Sequence, residues 1–100
     1  MIERVAVPSR PGLDEVSAYF EDFGDGAGRV ILVCWDMAYT AYWGAMGDRT
    51  TKQFFAGCGI DYITGRMSGR HYKQGKVDQI YLERVVKAVH DHLNLKQVAA

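Results

Sequence analysis

The stretch Thr40–Met67, TAYWGAMGDRTTKQFFAGCGIDYITGRM, constrains the fold more than any other part of the chain. Bulky pairs, Tyr42-Trp43 and Phe54-Phe55, alternate there with single glycines at 44, 47, 57, 59 and 65 and with cap-type Asp and Thr residues. Large apolar groups beside tightly turned backbone specify packing, and nothing in the stretch reads as an active site. It speaks to fold and not to activity. Just upstream, Arg29–Trp35 reads as a strand. Val30, Leu32 and Cys34 fall on one side of it and Ile31, Val33 and Trp35 on the other. Apolar on both sides, it is expected to be central in a sheet or covered on both faces. Asp36 and Met37 fit a tight turn into Ala38–Tyr42, so the pair reads as a β-hairpin.

Ile2–Pro8 reads as a short strand stopped by Pro8 and Pro11. Leu13, Val16, Phe20 and Phe23 recur at i, i+3, i+7 and i+10, which predicts an amphipathic helix with Asp14, Glu15, Glu21 and Asp22 outside the stripe. Gly24–Gly28 is a loop. Thr50 with Gln53 three residues on matches a capping box, opening a short helix that carries Phe54, Phe55 and Cys58 and ends at Gly57 or Gly59. Asp61 is expected to cap another short helix, with Tyr62, Ile63 and Met67 inward. Ser68–Lys76 reads as a polar loop. Leu82, Val85, Val86, Val89 and Leu93 then predict the clearest helix, started near Asp78. A frayed tail is expected over 96–100. The sum is one α+β domain over residues 1–100, a small three-stranded, mainly antiparallel sheet packed against helices. One sheet face is covered; the other is left for a partner or a second copy.

A hydrophobic fraction of 48% and a charged fraction of 24% describe an ordinary globular chain with room for one core. Cys34 and Cys58 read as small buried hydrophobes. The opening MIERVAVPSRPG lacks the apolar core and cleavage site of a secretory leader. The longest apolar run, Val30–Trp35, falls far short of the ~20 residues that span a bilayer. A cytoplasmic protein without a membrane partner is expected. Net charge is zero, but residues 1–50 carry four Lys/Arg against eight Asp/Glu, and residues 51–100 the reverse. A fold that keeps the halves apart would be dipolar; one that mixes them would not.

Catalytic and metal chemistry find no footing. On a helix, His90 and His92 point about 200° apart and cannot share a ligand. Neither cysteine sits in a catalytic context, and Ser9, Ser17 and Ser68 lack a Gly-x-Ser-x-Gly setting. Asp36, Asp48 and Asp61 have turn or cap explanations. Gly24–Gly28 precedes a strand and lacks the Lys-Ser/Thr of a phosphate-binding loop. The expectation is a protein that is not an enzyme, with no catalytic residue, no metal and no cofactor.

The candidate partner-binding residues are Arg66, Arg70, His71, Tyr72, Lys73 and Lys76, in RMSGRHYKQGK, with no acid between Asp61 and Asp78. Basic groups beside an aromatic suit phosphate contact with base stacking. They equally suit docking on an acidic protein surface, or a solvated loop that joins two helices. The acidic residues Asp14, Glu15, Glu21, Asp22 and Asp25 offer the opposite reading, imitation of a phosphate backbone, against a plain solvated helix face.

Tyr42-Trp43-Gly44-Ala45-Met46-Gly47, then Phe54-Phe55, then Asp61-Tyr62-Ile63-Thr64-Gly65-Arg66-Met67 resemble a recurring family of small phage- and prophage-encoded proteins. The resemblance covers about a third of the chain and brings no catalytic residues with it. It implies an accessory protein that binds and inhibits a host protein or nucleoprotein complex, such as a CRISPR effector. The alternatives are a nucleic-acid-binding module using residues 66–76, and a homo-oligomeric phage structural or assembly protein. The motif residues themselves read as structural: Gly44 and Gly47 allow a turn, Trp43 and Phe54 pack, Asp61 caps.

Overall fold

Alternation with a period of two governs the first half of the chain. The computed structural model describes residues 2–35, 37–68 and 76–99, except for the side chains of 76–79 and 95–99. Its sheet contains β1 (Ile2–Val7), β2 (Val16–Gly24), β3 (Ala27–Cys34) and β4 (Met37–Trp43), antiparallel and in sequential order. Inward residues follow every second position: Val5 and Val7, then Val16, Ala18 and Phe20, then Val30, Leu32 and Cys34, then Tyr39, Ala41 and Trp43. The helices α1 (Thr51–Gly57), α2 (Ile60–Ser68) and α3 (Lys76–Ala99) cover that face.

The sheet thus has four strands and not three, and the helix expected over Leu13–Phe23 is β2. Leu13, Val16, Phe20 and Phe23 fit a helical stripe, but Val16, Ala18 and Phe20 fit a strand equally well once Ala18 is accepted as an inward residue. Ala18 is fully buried between Val5 on β1 and Leu32 on β3, where a small side chain lets the helical layer sit close. The pairing partners on both sides decided between the two periods, and neither is visible locally. The expected β3–β4 hairpin is present, but its connection is Trp35-Asp36 rather than Asp36-Met37: Cys34 pairs with Met37, which already belongs to β4, and Asp36 itself lies outside the described residues. β3 is central in order, yet only one of its faces is covered.

Turns follow their residues. Arg10 and Leu13 exchange main-chain hydrogen bonds of 2.8 and 2.9 Å around Pro11-Gly12. Gly12 takes φ 80°, the third-position geometry of a type II turn. The β2–β3 register shifts between Asp22 and Gly24, making Phe23 an extra, outward residue.

The Thr50–Gln53 capping box forms as read: Gln53 N–H donates to Thr50 Oγ1 at 3.2 Å, and Thr50 N–H to Gln53 Oε1 at 3.0 Å. A second cap comes from the sheet. Thr51 is fully buried, and its N–H donates to Asp22 Oδ1 at 2.7 Å. Thr51 Oγ1 lies 2.7 Å from Asp22 Oδ1 and 2.9 Å from Glu21 O, so its single proton goes to one of these acceptors. These bonds to Thr51 hold the Asp22 carboxyl below the usual carboxylate value. Gly28 lies against this joint, where a Cβ would meet Thr51 Oγ1, Glu21 O and Met46 Cε.

Motif residues build the core next to it. Phe55 meets Phe20 edge-on at 5.6 Å, and Trp43 packs on Phe54 at 5.3 Å while its indole N–H donates to Tyr62 Oη at 3.0 Å. Met46 is buried, and its N–H donates to Gly26 O at 2.8 Å, closing the YWGAMG turn onto the β2–β3 turn. Asp61 sits inside the first turn of α2 and is not its cap; Ile63 and Met67 face inward as expected, but Tyr62 is exposed. On α3, Leu82, Val85, Val86, Val89 and Leu93 are all buried. The expected fraying of 96–100 concerns residues whose side chains lie outside the described set.

Candidate functional site

The second face of the sheet carries no helix among the described residues. Its side chains form three transverse rows across the four strands, set by the register. One row is Ala6, Ser17, Val33 and Ala38; the next is Arg4, Tyr19, Ile31 and Thr40; the third is Ile2, Glu21, Arg29 and Tyr42. Its middle is apolar, with half-buried Tyr19, Ile31 and Val33 from the two inner strands. Along the third row the large groups stand clear of the surface: Ile2 is 62% exposed, Tyr42 52% and neighbouring Phe23 50%. Phe23 and Tyr42 pack at 6.2 Å, with the Arg29 guanidinium 5.4 Å over the Phe23 ring.

Charges on the face are few. Arg29 Nη2 and Nε donate to Glu21 Oε1 at 2.6 and 3.0 Å, so this pair is neutral overall. Arg4 Nη2 donates to Ser17 Oγ at 3.0 Å. At the β3–β4 turn Trp35 is 74% exposed at φ 58°, and its indole N–H donates to Asp14 Oδ2 at 2.5 Å. A bulky residue at positive φ is a backbone outlier, and this one leaves a large aromatic surface in water. An apolar face edged by exposed aromatics is the usual mark of a contact surface.

The candidate basic residues divide. Arg66, near the end of α2, reaches over the free edge of the sheet and donates from Nη2 to Tyr42 O at 2.6 Å. Its Nε is buried without a hydrogen-bond partner among the described residues. Arg70, His71, Tyr72 and Lys73 lie outside the described residues, as does the side chain of Lys76.

The acidic group does not form one face. Asp14 takes the Trp35 indole, Glu21 pairs with Arg29 on the open face, and Asp22 caps α1 on the opposite face. An acidic first helix imitating a phosphate backbone is not formed, because Val16–Gly24 is a strand. His90 is structural: its Nε2 lies 2.8 Å from Cys58 O and its Nδ1 3.3 Å from Asn94 Nδ2, tying α3 to the end of α1. Among the described residues no three His, Cys, Asp or Glu side chains are grouped to hold a metal. Cys34 is buried, whereas Cys58 is only half-buried and its thiol is pushed up by desolvation. A groove of about 550 Å³ runs between the end of β1 and α3, lined by Val7, Pro8, Arg10, Ala88, Asp91, His92 and Asn94. Its charges are already paired, Asp91 with Lys87 at 3.0 Å and Arg10 at 3.5 Å.

Tyr19 and Phe23 are not legible as surface residues, because the helical reading of residues 13–23 puts Phe20 and Phe23 on one stripe; Ile31 lies, as its alternation implies, on the second side of its strand. The signal was present as Ser17, Tyr19, Glu21 and Phe23, every second residue outward.

The architecture is that of a sequential antiparallel sheet with one helix-covered face and one open face. Residues 2–95 match the model of Phage_phiTE_072, described as a phage family, and the chain belongs to that family. No curated protein and no solved structure matches the chain. No helix among the described residues is long and apolar enough to cross a membrane.

Proposed function

We propose that the protein is a non-enzymatic phage accessory protein that acts in the host cytoplasm by binding a host factor through its open sheet face and inhibiting it. The observation that carries this reading is a four-stranded sheet covered on one side only, with Ile2, Phe23 and Tyr42 exposed on the uncovered side. Aromatic groups of this kind supply desolvated area at an interface with little conformational entropy to lose. The basic residues of 66–76 begin beside the same edge, at Arg66, and would steer encounter with an acidic partner. A host defence nucleoprotein complex such as a CRISPR effector is the target class we favour, since it offers protein surface and a nucleic-acid path together. Occlusion of that surface is the mechanism; no cofactor or metal enters it.

A second reading rests on Tyr19, Phe23 and Tyr42 lying near Arg4 and Arg29 on one sheet. Aromatics on an open antiparallel sheet also suit stacking of single-stranded bases. Glu21 counts against it, because it neutralises the central arginine.

The test is a tagged pull-down from host lysate with and without nuclease, comparing the parent chain with a Phe23→Ser/Trp35→Gly double variant. We expect one stoichiometric host protein that survives nuclease and is lost with the variant, while the melting temperature changes little. Retention of that protein by the variant would remove the open face from the account. Material that disappears with nuclease would favour the stacking reading.

A further inference from the structure

Among the described residues β1 and β4 are the two edges of the sheet with no further strand beside them, and they are unlike. β1 carries Glu3 and Arg4 and is followed by Pro8, devices that discourage strand addition. β4, MAYTAYW, has no charge, no proline and no glycine, and it pairs with β3 without a register break. It carries none of these sequence devices, and the Arg66 guanidinium reaches over its Tyr42 end. Cys34 faces Met37 across a two-residue connection, which makes them a pair that exchanges main-chain hydrogen bonds. Alternation then turns the N–H and C=O groups of Ala38, Thr40 and Tyr42 outward. The Arg66 guanidinium reaching Tyr42 O agrees with that assignment.

The side chains of β4 complement their own copy. With an antiparallel two-fold axis through Thr40, Ala38 faces the second copy's Tyr42, Tyr39 faces its Ala41, and Thr40 faces its Thr40. Small meets large in two of these pairs and threonine meets threonine in the third, a favourable cross-strand pair. No like charges meet. An axis through Ala41 would instead oppose Tyr39 to Trp43, and one through Tyr39 would oppose that tyrosine to itself. At the strand ends Met37 faces the second copy's Trp43, a flexible thioether against a ring. Of these three registers only the one through Thr40 pairs all seven residues of β4 and sets no two aromatic rings opposite each other. Arg66 need not leave, because the Tyr42 carbonyl has a second lone pair.

We propose that β4 pairs with β4 of a second copy about a two-fold axis at Thr40, joining the two sheets into one and their open faces into one surface. The interface is isologous and closed, so it stops at the dimer. It does not depend on the host-factor reading, since it can be measured on the purified protein alone.

Sedimentation velocity over a wide concentration range should give twice the 11.2 kDa chain mass. Thr40→Pro removes an outward N–H from an edge strand, where proline is tolerated. It should yield a folded monomer by circular dichroism. Independently, Thr40→Cys should form a disulfide-linked dimer under mild oxidation, because paired antiparallel positions are about 5.5 Å apart between Cα atoms, within disulfide reach. Arg4→Cys on the other edge should not. A parent chain that stays at 11.2 kDa at every concentration overturns the proposal. So does a dimer that cross-links through Arg4→Cys and not through Thr40→Cys.

Discussion

Gly28, Asp22 and Trp35 show how much of this protein is decided at single atoms. Gly28 admits Thr51, Glu21 O and Met46 to the space a Cβ would fill. Glu21 O belongs to the neighbouring strand and cannot swing aside. Gly28→Ala should therefore cost about 2–3 kcal/mol in denaturant unfolding, although alanine suits the local φ. Asp22 has a folded pKa lowered from 3.8 by its hydrogen bonds to Thr51. Its stabilising effect is complete above that value and is lost as pH falls through the lower, folded one. Asp22→Ala should cost about 1 kcal/mol at neutral pH, the worth of a helix cap, and should flatten the acid limb of a melting-temperature profile. An unchanged acid limb would show that Asp22 is not the group responsible. Trp35→Gly exchanges an indole at positive φ for the residue that suits that backbone. Stability should stay within about 1 kcal/mol of the parent by thermal melting, since the strain relieved offsets the lost contact with Asp14.

At the scale of elements, legibility followed how local the deciding interaction is. The capping box of α1 was readable because Thr50 and Gln53 satisfy each other within four residues. The buried stripe of α3 and the β3–β4 hairpin were readable for the same reason, a strong period or a short connection. β2 was not. Its inward set, Val16, Ala18 and Phe20, includes a small residue whose burial is fixed by Val5 and Leu32 on its two neighbours, and its acidic positions mimicked the outer side of a helix. The outward set falls with it, so the second face is expected to meet a partner or a second copy but its β2 residues are not legible. Of the predicted basic site, Arg66 alone is among the residues with described side chains, and it bonds main chain at the sheet edge. That contact predicts a modest structural part for it: Arg66→Ala should loosen the Tyr42 end of β4, seen as faster amide hydrogen exchange at the β4 end of the hairpin. Exchange unchanged there would leave Arg66 without that role.

The whole molecule is two layers, and the layers divide the sequence. Sheet residues 2–43 come from the half with net charge −4, and helices 51–99 from the half with +4. The described elements therefore keep the halves apart, tied across the seam by ion pairs such as Lys52–Glu3 at 2.8 Å. One consequence is orientation in a partner's field; another is that the sheet layer, with Arg29 paired to Glu21, presents apolar surface at its centre. Membership of a phage family gives such a surface a setting, and Trp43, Met46, Phe54 and Phe55 hold the two layers together behind it. The claim that this face meets the host is tested most directly by a photo-crosslinking amino acid placed at Tyr19, in the middle of the open face, and expressed in the host. The account predicts one covalent adduct with a host protein from position 19 and none from Lys87 on the helical layer. An adduct from position 87 with none from position 19 would contradict it.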